Sequence, residues 1–566
     1  MLNYQIIHAN GARSLTTNIT GKALMSIPQL NKGTAFTDEE RQIFGLEGKL
    51  PIRVETLEEQ VARALEQFRS YKIELNRNIF LNTLLHTNVT LFFRLVKEHI
   101  KEMLPTMYTP IVGTAVETFN KTFVQTRGLY IAYPKIKNIA RILKNRSHKN
   151  IQLIVASDGE GVLGIGDQGV GAMDIAIAKL SVYTIFAGVN PLNTLPIMLD
   201  VGTDNEKLLN DPMYLGWRHP RIKGKDYQDF MDYFVDEVKK ELPDVFMHWE
   251  DFGRDTGYSN LERYRKRISS FNDDIQGTGV VSLAALLSAV KITGVPVTEQ
   301  KIVIFGAGTA GMGVTDNLCQ AMVRAGLTSA QAHQRFYLVD RFGLLTEDSK
   351  DTTPPQHPYL KSADEISDWE VKDKNNITLA ETVQHVRPSM LIGCSTQQGA
   401  FTKEIIQCMA AHCEHPIVFP LSNPTNRAEA TPADIIEWTN NKVLVATGSP
   451  FEDVNYQGKM VPIPQCNNYL AFPGIGVGVM AVKAKEVTGN MLTAASEALS
   501  EFSAKSSDML LPTIADAAKA SRVVAAAVAK AAIKDGVNQI GSDTEIDELL
   551  NEFVWEPEYL PYELGE

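Results

Sequence analysis

Lys301-Ile302-Val303-Ile304-Phe305-Gly306-Ala307-Gly308-Thr309-Ala310-Gly311-Met312-Gly313 joins an apolar, β-branched run to a glycine-spaced turn and then to a segment of helical patterning. A G-x-G-x-x-G match alone carries little weight. Here a strand precedes it and a helix follows, which is the context the turn requires. The first glycine permits the tight turn, the second lets backbone approach a pyrophosphate, and the third lets the helix pack closely on the strand. Gly306, Ala307, Gly308, Thr309, Ala310 and Gly311 are therefore candidate dinucleotide-binding residues. A second strand run, Arg335-Phe336-Tyr337-Leu338-Val339, ends in Asp340, whose carboxylate can accept from both ribose hydroxyls and would repel a 2′-phosphate. That favours NAD over NADP. Asp340 lies further on than the roughly 20 residues usual for this acid, so the helix and loop between are expected to be longer than average.

Strand-like runs continue downstream at Met390-Leu391-Ile392-Gly393, Ile417-Val418-Phe419-Pro420 and Val443-Leu444-Val445-Ala446. Each ends in a polar turn, and ligands of open α/β sheets lie at such ends; Ser395 and Asn423 are the cofactor-side candidates there. Upstream, strand runs at 151–156, 195–201 and 245–249 alternate with helices, which argues for a parallel sheet. The first hundred or so residues read as helices, from the spacing of Leu57, Val61, Leu65 and Phe68 and then of Leu91, Phe92, Leu95, Val96 and Ile100. The tail from Thr488 to Asp535 is Ala-rich, helical and expected to pack back on the body. The expected fold is α/β: an N-terminal helical domain (1–127), a parallel-sheet catalytic domain (128–272), a Rossmann-like NAD-binding domain (273–466) and a C-terminal helical segment (467–566).

Just ahead of the NAD-binding turn lies Ser270-Phe271-Asn272-Asp273-Asp274-Ile275-Gln276-Gly277, with Glu250-Asp251 a short way upstream. Clustered carboxylates repel unless a cation compensates, and hard divalent ions such as Mg²⁺ and Mn²⁺ take oxygen ligands. Within a regular strand Glu250 and Asp251 would face opposite ways. Joint ligation therefore requires that the strand end and turn there. The plainer reading of Asp273-Asp274 is a helix N-cap before the apolar run from Val280.

Two further residues stand out. Tyr108, in Met107-Tyr108-Thr109-Pro110, precedes a residue that the proline holds extended; alone it reads as core packing. Lys179 sits inside Ile175-Ala176-Ile177-Ala178-Lys179-Leu180-Ser181-Val182-Tyr183, a helix apolar on nearly every side and so buried. Burial moves a lysine toward the range of a general base, unless its stem carries the ammonium to the surface. Asn423, Asn467 and Asn468 can hydrogen-bond a carboxylate, hydroxyl or carboxamide, though each singly reads as a turn former.

Composition bounds these readings. At 566 residues, 44% hydrophobic and 22% charged, the chain is a globular protein of about three or four domains. A net charge of -12 argues against nucleic acid or an anionic membrane surface as partner, and not against a small anionic substrate. The five cysteines lack the spacing of a zinc site or disulfide framework, so reduced thiols in a cytoplasm are expected. The first residues do not read as a signal peptide. No apolar run reaches the roughly 18 residues of a membrane span; the best, 279–290, stops at Lys291.

In order along nearly the whole chain, the segments Leu30-Asn31-Lys32-Gly33-Thr34-Ala35-Phe36, Tyr108-Thr109-Pro110, Gly164-Ile165-Gly166-Asp167-Gln168-Gly169, Trp249-Glu250-Asp251-Phe252, Phe271-Asn272-Asp273-Asp274-Ile275-Gln276-Gly277-Thr278, Gly306 to Gly311, Pro420-Leu421-Ser422-Asn423-Pro424-Thr425 and Gln465-Cys466-Asn467-Asn468 closely resemble the large malic enzymes. The resemblance implies NAD-linked oxidative decarboxylation of L-malate to pyruvate and CO₂ with Mg²⁺ or Mn²⁺. It implies Glu250, Asp251 and Asp274 as metal ligands, Lys179 assisted by Asp273 as the base for the C2 hydroxyl, and Tyr108 as the acid that protonates the enol. Asn423, Asn467 and Asn468 would contact substrate or nicotinamide, and the assembly would be a homodimer or homotetramer.

One departure stands out: Asp158-Gly159-Glu160-Gly161 has glycine where most of the family has a malate-binding arginine, so a bidentate charge-assisted contact is missing or supplied from elsewhere. That glycine, His248 to Arg254, and Cys394-Ser395-Thr396-Gln397-Gln398-Gly399-Ala400-Phe401 also resemble malolactic enzymes, which keep NADH and release lactate. Tyr108-Thr109-Pro110 resembles the malic enzymes. Oxidation to pyruvate ranks ahead of malolactic turnover. A catalytically silent NAD-binding subunit would need a broken site, and Tyr108, Lys179 and the three metal carboxylates are all present.

Overall fold

The hairpin β1 (Tyr4–Ala9) and β2 (Ala12–Thr17) precedes the helices that periodicity predicts, and the strand Tyr562–Leu564 joins it in parallel with β2. This corrects the all-helical reading of the N-terminal region. Among the described side chains of β2 only Leu15 and Thr17 are buried, too short an alternation to register as a strand. The computed structural model describes residues 4–9, 12–125, 127–162, 164–506, 509–541 and 545–565. Its chain separates into two units: Met1–Val155 with Gly169–Val245 and Phe553–Glu566, and Ala156–Gln168 with Phe246–Glu552.

In the first unit the helical segments are α1 (Leu57–Ser70), α2 (Glu74–Thr87), α3 (Val89–Glu98), α4 (Ile100–Met107) and α5 (Ile111–Thr122). Thr56 and Glu59 start α1 with a capping box, and the face carrying Val61, Ala64 and Phe68 is buried. Leu91, Phe92, Leu95 and Val96 of α3 are buried as their spacing requires. Then come β3 (Leu129–Ala132), β4 (Leu153–Ser157), of which only Leu153 to Val155 belong to this unit, α6 (Met173–Ala187) and β5 (Thr194–Asp200), with β3 and β5 paired in parallel.

The second unit begins with β6 (Phe246–Glu250), α7 (Arg254–Tyr264) and β7 (Ser270–Asn272), which pairs in parallel with β6. Asp273–Gly277 follows as a π-helical turn that runs straight into α8 (Thr278–Thr293). Next are β8 (Ile302–Phe305), α9 (Thr309–Arg324), β9 (Phe336–Asp340), the short β10 (Gly343–Leu344), β11 (Met390–Gly393), β12 (Ile417–Pro420) and β13 (Leu444–Val445). These strands make a six-stranded sheet in the order β10-β9-β8-β11-β12-β13, parallel except for the β9–β10 pair. Chain order reverses between β8 and β11, and a doubly wound sheet opens its ligand crevice at that reversal. Between the ends of α9 and β9 lies a further short helix, Ser329–His333, which accounts for the extra residues before Asp340.

The Ala-rich tail forms α10 (Phe472–Ala481), α11 (Gly489–Ser506) and α12 (Ala517–Lys534), packed on one another and, through α11, on α8. Two helical stretches, Gly169–Ala187 and Asp273–Thr293, are long and apolar enough to cross a membrane, contrary to the sequence reading, because the turns ahead of α6 and α8 lengthen both. They are 83% and 72% buried within the protein, as core helices are.

Candidate metal and dinucleotide site

Asn272, not the Asp pair, caps the segment ahead of α8: its side chain accepts from the Ile275 N–H at 2.9 Å. The capping explanation of Asp273-Asp274 therefore falls away. Strand β6 ends at Glu250, and Asp251 takes a φ of 56°, a left-handed conformation uncommon for a non-glycine residue. The alternation of side chains is broken there, as joint ligation by neighbours demands. One carboxylate oxygen each of Glu250, Asp251 and Asp274 lie within 4.8 Å of one another, with Glu250 and Asp251 buried. The Asp251 N–H also donates to Asp274 Oδ2 at 2.8 Å.

Around this group the second unit supplies support that the sequence did not single out. His248 Nε2 lies 2.7 Å from Glu250 Oε2, both buried. Its signal was present, since His248 and Glu250 share one face of β6. Asn468 donates to Asp273 at its Oδ2 (3.0 Å) and its carbonyl (3.1 Å), which brings one of the predicted asparagines to the acids. A Cβ on Gly277 would lie 1.9 Å from Asp273 Oδ1, so only glycine fits beneath that carboxylate.

The dinucleotide turn lies in the same unit. Gly306 has a φ of 98°, and a Cβ there would strike the Cys394 carbonyl carbon at 2.5 Å and Ser395 Cα at 2.7 Å. The β8 and β11 ends thus meet at the reversal of strand order. A Cβ on Gly311 would lie 2.0 Å from the Gly306 carbonyl oxygen, and one on Gly313 would lie 2.2 Å from that of Ile275, seating α9 against the π-turn. Gly308 faces open space. Beside it a cavity of about 330 Å³ is lined by Arg254, Tyr258, Thr309, Met312 and Pro354 among others. Behind α9, Tyr258 and Tyr359 donate to Asp316 at 3.1 and 2.9 Å, and burial pushes that carboxyl up to about 6.

Asp340 ends β9 as expected, its Oδ1 accepting from the Arg341 N–H at 2.8 Å. Ser395 and Asn423 sit on turns tied by a residue the sequence reading missed, Glu429. Fully buried, Glu429 accepts from Ser395 N (2.8 Å), Ser395 Oγ (2.8 Å), Ser422 Oγ (2.6 Å) and Ser422 N (3.4 Å). Ser422 Oγ in turn accepts from Thr396 N. A carboxylate six positions past an asparagine carries no local signal of this kind. Asn423 Oδ1 accepts from Ser449 Oγ at 2.6 Å, and Asn467 accepts from the Tyr469 N–H at 3.2 Å, a turn-forming bond.

The first unit holds the other predicted pair. Lys179 and Tyr108 are both buried, with Lys179 Nζ 5.6 Å from the centre of the Tyr108 ring. The lysine does not snorkel, because α6 is enclosed on nearly every side.

Gly161 lies against the segment after β6. Its N–H donates to the Asp251 carbonyl at 3.0 Å, and a Cβ there would lie 2.5 Å from the Phe252 carbonyl oxygen. An arginine cannot be placed at this position without moving backbone, so the glycine is closely packed on the segment after β6.

Residues 85–265 match the family described as malic enzyme, N-terminal domain, and residues 275–533 match malic enzyme, NAD binding domain. The chain is 47% identical over 556 residues to the NAD-dependent malic enzyme of Aeromonas hydrophila, with 98% of each covered. The chain belongs to the malic enzyme family. It is also 46% identical to the NAD-dependent malic enzyme of Acinetobacter baylyi, with 96% of each covered. Among solved structures, the Entamoeba histolytica malic enzyme matches with a TM-score of 0.55 at 23% identity, covering 91% of each chain. That of Pyrococcus horikoshii matches at 0.53 and 24%, covering 80% of this chain and 88% of the other. At such identities these two speak to the fold, which is the α/β malic enzyme fold with its Rossmann-like NAD domain.

Proposed function

We infer that the protein oxidatively decarboxylates L-malate to pyruvate and CO₂, reducing NAD in the presence of Mg²⁺ or Mn²⁺. The observation that carries this reading is the convergence of Glu250, Asp251 and Asp274 in one unit with a dinucleotide turn. Three carboxylates fit a hard divalent ion, and the close-packed glycines of the turn fit a pyrophosphate. A metal held there would act as a Lewis acid toward the C2 oxygen. NAD held at Gly306 to Gly311, with Asp340 at its ribose and Ser395 and Asn423 on the neighbouring turns, would accept the C2 hydride.

The chain's own groups move the protons. Lys179, enclosed in α6, takes the proton from the C2 hydroxyl as the C2–H bond breaks, with Asp273 assisting. Cleavage of the C3–C4 bond then releases CO₂ and leaves an enol of pyruvate, which Tyr108 protonates at C3. Its distance from Lys179 suits two groups serving adjacent carbons of one small substrate. Asn467 and Asn468 contact substrate, and the hold of Asn468 on Asp273 supports that placement. The domains divide at 127, 272 and 466 in this reading, and the assembly is a homodimer or homotetramer; the free state of all five cysteines suits a reducing, cytoplasmic setting.

The test is product analysis. L-malate, NAD and Mn²⁺ should yield pyruvate and NADH at 340 nm in equal amounts. Lactate without net NADH would replace this reading with malolactic turnover.

A further inference from the structure

Within the first unit a cavity of about 560 Å³ lies among the end of α2, the segment leading into β3 and the loop before β4. Its lining carries two guanidinium and two imidazole groups, Arg127, Arg146, His86 and His148, and no carboxylate. In a chain with 67 acids against 55 lysines and arginines, an acid-free pocket of four basic side chains is not what composition favours. Nor are these groups satisfied internally. Among the described residues no hydrogen bond or ion pair reaches Arg127. The buried Arg146 Nε and His86 Nε2 also lack partners, while Arg146 Nη1 and His86 Nδ1 use the carbonyls of Leu143 and Asn82. Asp174 is the one carboxyl lining a second cavity that shares His86, Gln125 and Arg127 with the first. Burial pushes it up to about 7, so at neutral pH it is no full counter-charge.

Half-buried donors of one sign gain from a group that answers them. Guanidinium groups answer oxyanions through paired, charge-assisted hydrogen bonds, and the volume is that of a small-molecule site. The lining also carries the apolar residues Ile27, Pro28, Leu129 and Leu195, which would contact the body of such a molecule. We propose that this cavity is an oxyanion site for a small phosphate- or carboxylate-bearing molecule, held by Arg127 and Arg146 with His148 as a further donor. Burial, and then the charge of Arg127, hold His148 below its ordinary pKa, so it serves near neutrality as a neutral N–H donor, whereas the one N–H of neutral His86 is already given to the Asn82 carbonyl. None of the four belongs to the machinery assigned to malate, metal or NAD.

The experiment is calorimetric titration of the full-length, metal-free protein with inorganic pyrophosphate in one arm and citrate in the other, which separates phosphate from carboxylate preference. At least one should bind, and Arg127→Gln and Arg146→Gln should each weaken it about tenfold or more, with Arg127→Lys weakening it less. Circular dichroism and Mn²⁺ affinity, unchanged within about twofold, would show that the variants are folded. The proposal is overturned if neither anion binds below about 10 mM, or if the glutamine variants bind as the parent does. It is also overturned if the parent binds no anion while Arg127→Gln lowers the oligomeric mass, since a second copy of the chain would then be what answers the charge.

Discussion

Two clusters of buried charge in this protein are built on opposite terms. In the first unit Lys32 and Glu40, both nearly inaccessible, pair at 2.5 Å, and Lys32 Nζ sits 3.9 Å from the centre of the Tyr562 ring. Glu40 also accepts from the Tyr562 N–H at 2.9 Å and caps the helix Asp38–Ile43 through Thr37 N. Arg41 beside it donates to the carbonyls of Thr34, Phe36, Pro51, Ile52 and Arg53. In the second unit Glu250, Asp251 and Asp274 gather charge of one sign, with Asp273 grouped with Glu250 and His248. The first cluster closes on itself and staples the chain ends; the second is assembled for a cation. Burial alone therefore does not mark function, whereas burial of like charges held in place by backbone does.

Breaking the closed cluster should have the largest effect on stability. Glu40→Gln leaves Lys32 buried without its counter-charge, at a cost of about 3–5 kcal/mol, read as a fall in the urea midpoint with little change in kcat for the protein that stays folded. Equal stability of parent and variant would show that the pair is not what holds Tyr562 in place.

Glu429 belongs to neither cluster, because its charge is spent on hydroxyl and amide donors. Glu429→Gln removes acceptor capacity from a buried group and should cost about 1–3 kcal/mol, with NADH binding weakened because Ser395 and Ser422 lose their common anchor. A variant that loses stability and binds NADH as before would reduce Glu429 to a purely structural role.

In the open cluster the sign should invert. Asp273→Asn, which can still accept from Asn468, relieves repulsion among the acids and should stabilise the metal-free protein by about 1–2 kcal/mol while lowering turnover. A loss of stability would mean that the carboxylates are already compensated within the chain.

The smallest effect is one of pH. Asp316 is raised from an ordinary 3.8 to about 6 by burial. Its contribution to stability is present below about pH 3.8 and lost as the pH rises through about 6. Asp316→Asn should flatten that part of the stability profile, and an unchanged profile would assign the slope to other groups.

The sequence revealed the second unit better than the first for a physical reason. The turn at Gly306, the acids flanking β6 and β7, and the strand ends at Ser395 and Asn423 are local patterns, each written within a dozen residues. The staple of the first unit joins Glu40 to Tyr562 across 522 positions, so Lys32 could be quoted within a family-like motif but given no role. Glu429 and His248 were passed over because their meaning lies in partners brought together by folding. Gly161 is likewise read only in part from its neighbours in sequence. The absence of an arginine is visible in the sequence, but the Phe252 carbonyl that crowds the position is brought there by folding.

Titration of Mn²⁺ into the metal-free parent and the Asp274→Ala variant, followed by calorimetry with NADH binding measured in parallel, tests the open cluster most directly. The parent should bind one Mn²⁺ per chain and gain thermal stability from it. The variant should lose about two orders of magnitude in affinity or more while binding NADH and unfolding cooperatively as the parent does. Parental Mn²⁺ affinity in Asp274→Ala would contradict the assignment of these carboxylates as the metal site.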